Sequence, residues 1–262
     1  MERKISFISL PVICVALALS MLLPSSLIGQ SPSGFATNKA RLDGSAKSGS
    51  AEYLSTFEQD VLNEMNLARA NPAQYATYLE QLKRYYNGNR YAPPGQKEFV
   101  TNEGVGAVDE AIKFLRAAKP VAPLSASKGM SLGAKDHVKD LGLTGGAGHK
   151  GTDGSMTGDR VNRYGMWTNA IGENIAYSAG NARDAVVGFI IDDGLQSRAH
   201  RLNLFNPNYR IVGVALGQPG TYGSMCVVTF AGGYAEKAIK PAPLNGKPAP
   251  AKGNAKVAAR VM

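Results

Sequence analysis

Apolar residues recur at helical spacing in four stretches of the chain and crowd together at strand-like density in three more. Phe57, Val61, Met65 and Ala68 lie three or four residues apart, which marks one apolar face of a helix. Ser55 with Glu58 three residues later forms a capping box at its start. Asn71-Pro72 ends that helix and opens the next, with Asn as cap and Pro in the first turn. Val108, Ile112 and Leu115 predict a helix over 105–119, stopped by Pro120 and Pro123. From Ser127, the stripe Met130, Ala134, Val138 and Leu141 predicts another, with Lys135, Asp136, Lys139 and Asp140 turned outward. His137 flanks this stripe and reads as a structural histidine. The fourth stripe is Ala182, Val186, Phe189 and Ile190, capped by Asn181.

The strand-like runs are Ile171–Tyr177, Arg210–Gly217 and Met225–Gly232. Gln218-Pro219-Gly220 and Gly223-Ser224 stand between the last two, predicting an antiparallel hairpin. Residues 84–104, with Tyr85, Tyr86, Tyr91, Pro93 and Pro94, read as a long surface loop whose tyrosines either contact a ligand or pack against the domain, packing being the simpler reading.

Both ends of the chain differ from this middle. Arg3 and Lys4 precede an apolar run from Ile5 to Leu23, followed by Pro24, Ser25 and Ser26; this predicts a secretory signal over 1–29 and an exported, secreted or periplasmic protein. Residues 30–50, rich in Ser, Gly, Ala and Lys, read as a flexible linker. The predicted domain is 51–236, and 237–262 reads as a disordered tail of Ala, Lys and Pro. Charge follows the same division. Of the net +9, six charges fall in the tail and three in residues 1–50, which leaves 51–236 neutral. A neutral domain excludes nucleic acid as a partner and leaves only the tail for contact with an anionic envelope polymer. The two cysteines are Cys14, inside the leader, and Cys226, inside an apolar run. A mature chain therefore forms no internal disulfide.

The candidate chemistry gathers in two places. His149 lies in a loop with glycines at 145, 146, 148 and 151, which allow the tight turns that present a side chain to a cleft. Further on, Glu173 sits in a Gly-Glu-Asn-Ile-Ala-Tyr run that reads as partly buried, and a buried carboxylate needs a partner. Asp192 and Asp193 end a helix, where the helix dipole disfavours acids. His200 stands between Arg198 and Ala199 on one side and Arg201 on the other, and nearby cations favour a neutral imidazole. Ser155 and Ser197 are near these histidines in sequence, but neither lies in a G-x-S-x-G turn.

The ordered segments LNEMNLARANP, GHKGTDGS, GENIAYS, SRAHRLNLFNPNYRIVGVALG and VVTFAGG resemble the CAP superfamily, the SCP-like domain, in its bacterial disulfide-free form. The resemblance spans residues 55–234. It implies an α+β fold, an α-β-α sandwich with a small antiparallel sheet between helical layers. It also implies a cleft lined by two histidines and two acids, able to take a divalent metal such as zinc. His149 matches the first histidine, Glu173 the first acid and His200 the second histidine. No Glu lies between Glu173 and His200, so Asp193 or Asp192 takes the second acid position. The expected metal set is His149, His200, Glu173 and Asp193. The resemblance favours a non-catalytic extracellular module that binds a metal, a lipid or sterol, or a peptide. The alternative is a hydrolase, with Glu173 as general base to a metal-bound water or with a serine nucleophile.

Overall fold

The computed structural model describes residues 52–95, 97–217 and 223–237. The expectations for the leader, the linker, the tail and the turn at 218–222 lie outside these residues.

The chain opens with two helices, α1 (Thr56–Ala70) and α2 (Pro72–Leu82). The capping box is formed: Glu58 N–H donates to Ser55 Oγ and Ser55 N–H to Glu58 Oε2. Glu58 has a second use, because its Oε1 accepts from Leu216 N–H at 2.9 Å. Residues 84–104 are not the irregular loop predicted above. They form a small antiparallel sheet of β1 (Tyr86–Asn87), β2 (Arg90–Tyr91) and β3 (Phe99–Val100). The Gly88-Asn89 step is the two-residue hairpin loop that a loop reading passes over. Gly88 takes φ +61°, and Tyr86 and Tyr91 then pair across the strands with ring centroids 4.5 Å apart.

Helix α3 (Val105–Ala117) follows, then β4 (Ser125–Ala126), α4 (Lys128–Thr144), α5 (Thr157–Asn162), β5 (Gly165–Tyr177), α6 (Ala182–Ile191), α7 (Ala199–Leu204), β6 (Ile211–Gly217) and β7 (Met225–Glu236). The main sheet has the order β4-β6-β7-β5; β4 runs parallel to β6 and the other pairs are antiparallel. The β6–β7 pair is the predicted hairpin. β5 begins six residues earlier than the apolar run suggested, because Gly165–Thr168 pair with the far end of β7 across a bulge.

Strand alternation explains the layers. Val212, Val214, Cys226, Val228 and Phe230 pack into one core with α1, α2, α3, α6 and α7. Ala215, Met225 and Val227 turn the other way, onto Ala134, Val138 and Leu141 of α4. Ala231 joins Met130 and Val161 of α4 and α5 on that same side. The sheet is buried on both faces, giving the α-β-α sandwich. Gly213 is where α4 comes closest: a Cβ there would overlap the Met130 backbone. Glycine at this point is what lets helix and sheet touch.

Candidate functional site

Glu173 is the centre of the first cluster. Its side chain is 2 % exposed, and it meets three basic groups carried by separate parts of the chain. His149 Nδ1–H donates to Oε1 at 2.9 Å. Arg160, on α5, donates from one terminal nitrogen to both carboxylate oxygens, at 3.0 and 2.8 Å. His137, on α4, places Nε2 3.9 Å from Oε1 while donating to the Gly148 carbonyl at 2.8 Å. Burial pushes the Glu173 carboxyl up, but the His149 hydrogen bond and the Arg160 charge outweigh it and hold its pKa below the ordinary value. Burial also outweighs the opposing pull of Glu173 and of the Gly148 hydrogen bond on His137, whose pKa falls below the usual imidazole range.

His137 therefore belongs to the cluster, contrary to its reading as a bystander beside the α4 stripe. Its position on that stripe carried no signal; the glycine loop folds back over it, through Gly148, and completes its burial. Arg160 was also missed as a member. It is 2 % exposed and holds the His149 and Ser155 carbonyls at 3.0 and 2.9 Å in addition to Glu173.

The second pair stands apart from the first. Asp192 caps the end of α6 with φ +55°, a left-handed conformation that costs a non-glycine residue about 1–2 kcal/mol. That turn aims its carboxylate at α7: Oδ1 accepts from His200 Nδ1 at 2.7 Å and Oδ2 from His200 N–H at 2.9 Å. Asp193 does not share this role. Its oxygens accept from the N–H groups of Asn102 and Glu103, at 2.7 and 2.8 Å, and from Asn102 Nδ2. The partner of His200 is thus Asp192, because only the left-handed turn at 192 directs a side chain back toward α7. The flanking arginines are engaged elsewhere. Arg198 is held by Glu103 and Glu110, and Arg201 by Glu110 and the Ile190 and Ile191 carbonyls.

Successive residues of β5 separate the two pairs. Glu173 faces α4 and α5, whereas Asn174 faces α7, donating to the His200 carbonyl and accepting from Asn203, both at 2.9 Å. The alternation of a strand puts adjacent side chains on opposite sides of the sheet. His149–Glu173 and His200–Asp192 follow it.

The His200 side opens into a cavity of about 430 Å³. Tyr85, Tyr86, Tyr91 and Phe99 form one wall, Ile175, Val187 and Phe189 another, and Asp192 and His200 a polar edge. Neither His149 nor Glu173 lines it. The tyrosines read from sequence as packing residues are the aromatic wall of a cavity. The pattern that could have revealed them is the same Gly88-Asn89 hairpin loop, which sets Tyr86 and Tyr91 side by side.

A family model described as CAP, the cysteine-rich secretory protein family, matches residues 109–230. The match takes in both histidine–acid pairs, β4, β5 and β6, and the first half of β7. Residues 109–230 are therefore CAP-like. Solved structures with likeness to this chain include an outer surface protein from Borrelia burgdorferi, 20 % identical, covering 45 % of this chain and 80 % of its own, with a TM-score of 0.36. An extracellular protein with a SCP domain from Bacillus anthracis is 22 % identical over 58 % of this chain and 43 % of its own, at 0.35. A cysteine-rich secretory protein from Staphylococcus aureus is 13 % identical over 49 % and 38 %, at 0.33. The chain thus spans less than half the length of the last two. With TM-scores this low, the three likenesses carry no argument of their own. No curated protein matches the chain.

The side chains of this CAP-like domain do not fit a metal centre. Among the described residues, no group of three or more His, Cys, Asp or Glu side chains is placed to hold a metal ion. Glu173 spends both oxygens on Arg160 and His149, Asp192 spends both on His200, and Asp193 faces Asn102 and Glu103. The same commitments bear on Glu173 as a general base, since its oxygens already accept hydrogen bonds and its pKa is depressed. No hydrogen bond joins Ser155 or Ser197 to a histidine ring among the described residues; the Ser155 N–H donates instead to Asp153.

Proposed function

We propose that this CAP-like domain is an exported, non-catalytic binding module that takes a lipid-like ligand in the aromatic cavity beside His200. The observation that carries the reading is the cavity itself. At about 430 Å³ it lies within the range of small-molecule sites. Its walls include tyrosine, phenylalanine and aliphatic side chains, and polar groups such as Arg183, Asp184, Ser178 and His200 also line it, an arrangement suited to an apolar body with a polar head. A peptide is less well served, because the wall strands β1–β3 are two residues long and offer little edge for main-chain pairing. Export rests on the charged and apolar leader and on the secretory description of the family.

The test is equilibrium binding of a fluorescent fatty acid and of a fluorescent sterol to the full chain, beside Tyr91→Ala and Phe189→Ala. Saturable binding of one molecule per chain is expected for at least one probe, weakened about tenfold by loss of either ring, in line with the 1.4 kcal/mol per decade of affinity. Binding that never saturates, or that ignores both substitutions, would remove the cavity from consideration.

A further inference from the structure

We infer that Arg160 is a built-in cation that closes the Glu173 cluster to metal ions, so that this half of the site is metal-independent. The family resemblance leads one to expect a divalent ion beside His149 and Glu173. The chain supplies a positive charge there itself. The guanidinium is 2 % exposed and one of its nitrogens lies 3.0 and 2.8 Å from the two carboxylate oxygens. Its other terminal nitrogen donates to the His149 and Ser155 carbonyls at 3.0 and 2.9 Å, and Thr157 Oγ1 accepts at 3.3 Å. The cation is therefore anchored from three directions and cannot swing aside without leaving main-chain carbonyls unpartnered.

Charge and donor counting both point the same way. One arginine balances one glutamate, so a further divalent ion would enter a neutral, mostly buried cluster with no anion to offset it. The Glu173 oxygens accept three hydrogen bonds, two from Arg160 and one from His149. His149 directs Nδ1 at the carboxylate, and His137 spends Nε2 on the Gly148 carbonyl. What is left is an arginine–glutamate–histidine brace that ties α4, α5, the glycine loop and β5 together. The inference is independent of what the cavity binds, since neither Arg160 nor Glu173 lines it.

The experiment is a zinc titration of the full, tag-free chain by calorimetry, with thermal unfolding measured in zinc and in a chelator. Arg160→Met, Arg160→Lys and Glu173→Gln are measured alongside. The wild type and Arg160→Lys are expected to show no zinc site that depends on Glu173, and no change in Tm with zinc or chelator. Arg160→Met leaves Glu173 without its cation, and zinc is expected to raise its Tm by about 4 °C or more. Zinc bound by the wild type and kept by Glu173→Gln lies elsewhere on the chain and agrees with the inference. Stoichiometric zinc in the wild type that Glu173→Gln abolishes would overturn it. So would a folded Arg160→Met whose stability zinc leaves untouched. Should Arg160→Met not fold, the wild-type titration decides alone.

Discussion

The buried arginine–glutamate pair sets most of what single residues do for this domain. Glu173→Gln keeps the shape but leaves Arg160 charged, buried and without a counter-charge. Breaking one partner of such a pair costs about 3–5 kcal/mol, so the urea midpoint of Glu173→Gln should fall by a corresponding amount. The pH dependence follows in sign from the same group. Glu173 is held below the ordinary carboxylate value in the folded state, so its contribution is complete above that value. It is lost as pH falls through the depressed folded pKa. His137 acts in the same direction at higher pH. Its folded pKa is lowered, so the unfolded chain takes up a proton first and stability declines once pH drops below the usual imidazole range. Urea unfolding between pH 7 and 3 should show a steepening loss at the acid end in the wild type, and a shallower one in Glu173→Gln. Equal slopes would mean that Glu173 is not ionised in the fold.

Between elements, contact is governed by where side chains are absent. Helix α4 reaches the sheet over Gly213, where a methyl group would overlap the Met130 backbone. Since backbone cannot step aside as a flexible side chain can, Gly213→Ala should cost roughly 1–3 kcal/mol through overpacking, read as a lowered Tm with the secondary structure unchanged. A neutral Gly213→Ala would mean that α4 sits farther from β6 than described. The turn between α6 and α7 shows the opposite economy: Asp192 and Arg198 both adopt positive φ, and each offsets that strain with side-chain hydrogen bonds. Helix ends were readable from sequence because capping depends on neighbours in the chain. Ser55 and Asn181 cap as their spacing predicts, whereas Asn71, read as the cap of α2, makes no side-chain cap bond and leaves that start to Pro72. The strained turns were not readable, since nothing local distinguishes Asp192 from Asp193.

Across the whole molecule, the sheet joins the apolar clusters of both helical layers, so the domain should open as one unit. Cys226 reports on that opening. It lies near the start of β7, fully buried, with its thiol pushed up to about 12 by burial. In a chain carrying Cys14→Ser, a disulfide reagent at pH 8 should leave Cys226 unmodified in the folded state and titrate one thiol in denaturant. Modification under native conditions would mean that β7 opens locally, without global unfolding. By itself the sequence determined α1, α2, α3, α4 and α6, the β6–β7 hairpin and the CAP resemblance, and it nominated His149, Glu173 and His200, because periodicity, capping and short motifs act between residues close along the chain. Tertiary structure alone decided which groups meet. It divided the expected four-residue set into two pairs, one on each side of β5, and brought His137 and Arg160 to Glu173. It also turned Asp192 rather than Asp193 toward His200, and made the tyrosines of 84–104 the wall of a cavity. Strand alternation and a left-handed turn fix these meetings, and both act through space between segments that the sequence keeps apart.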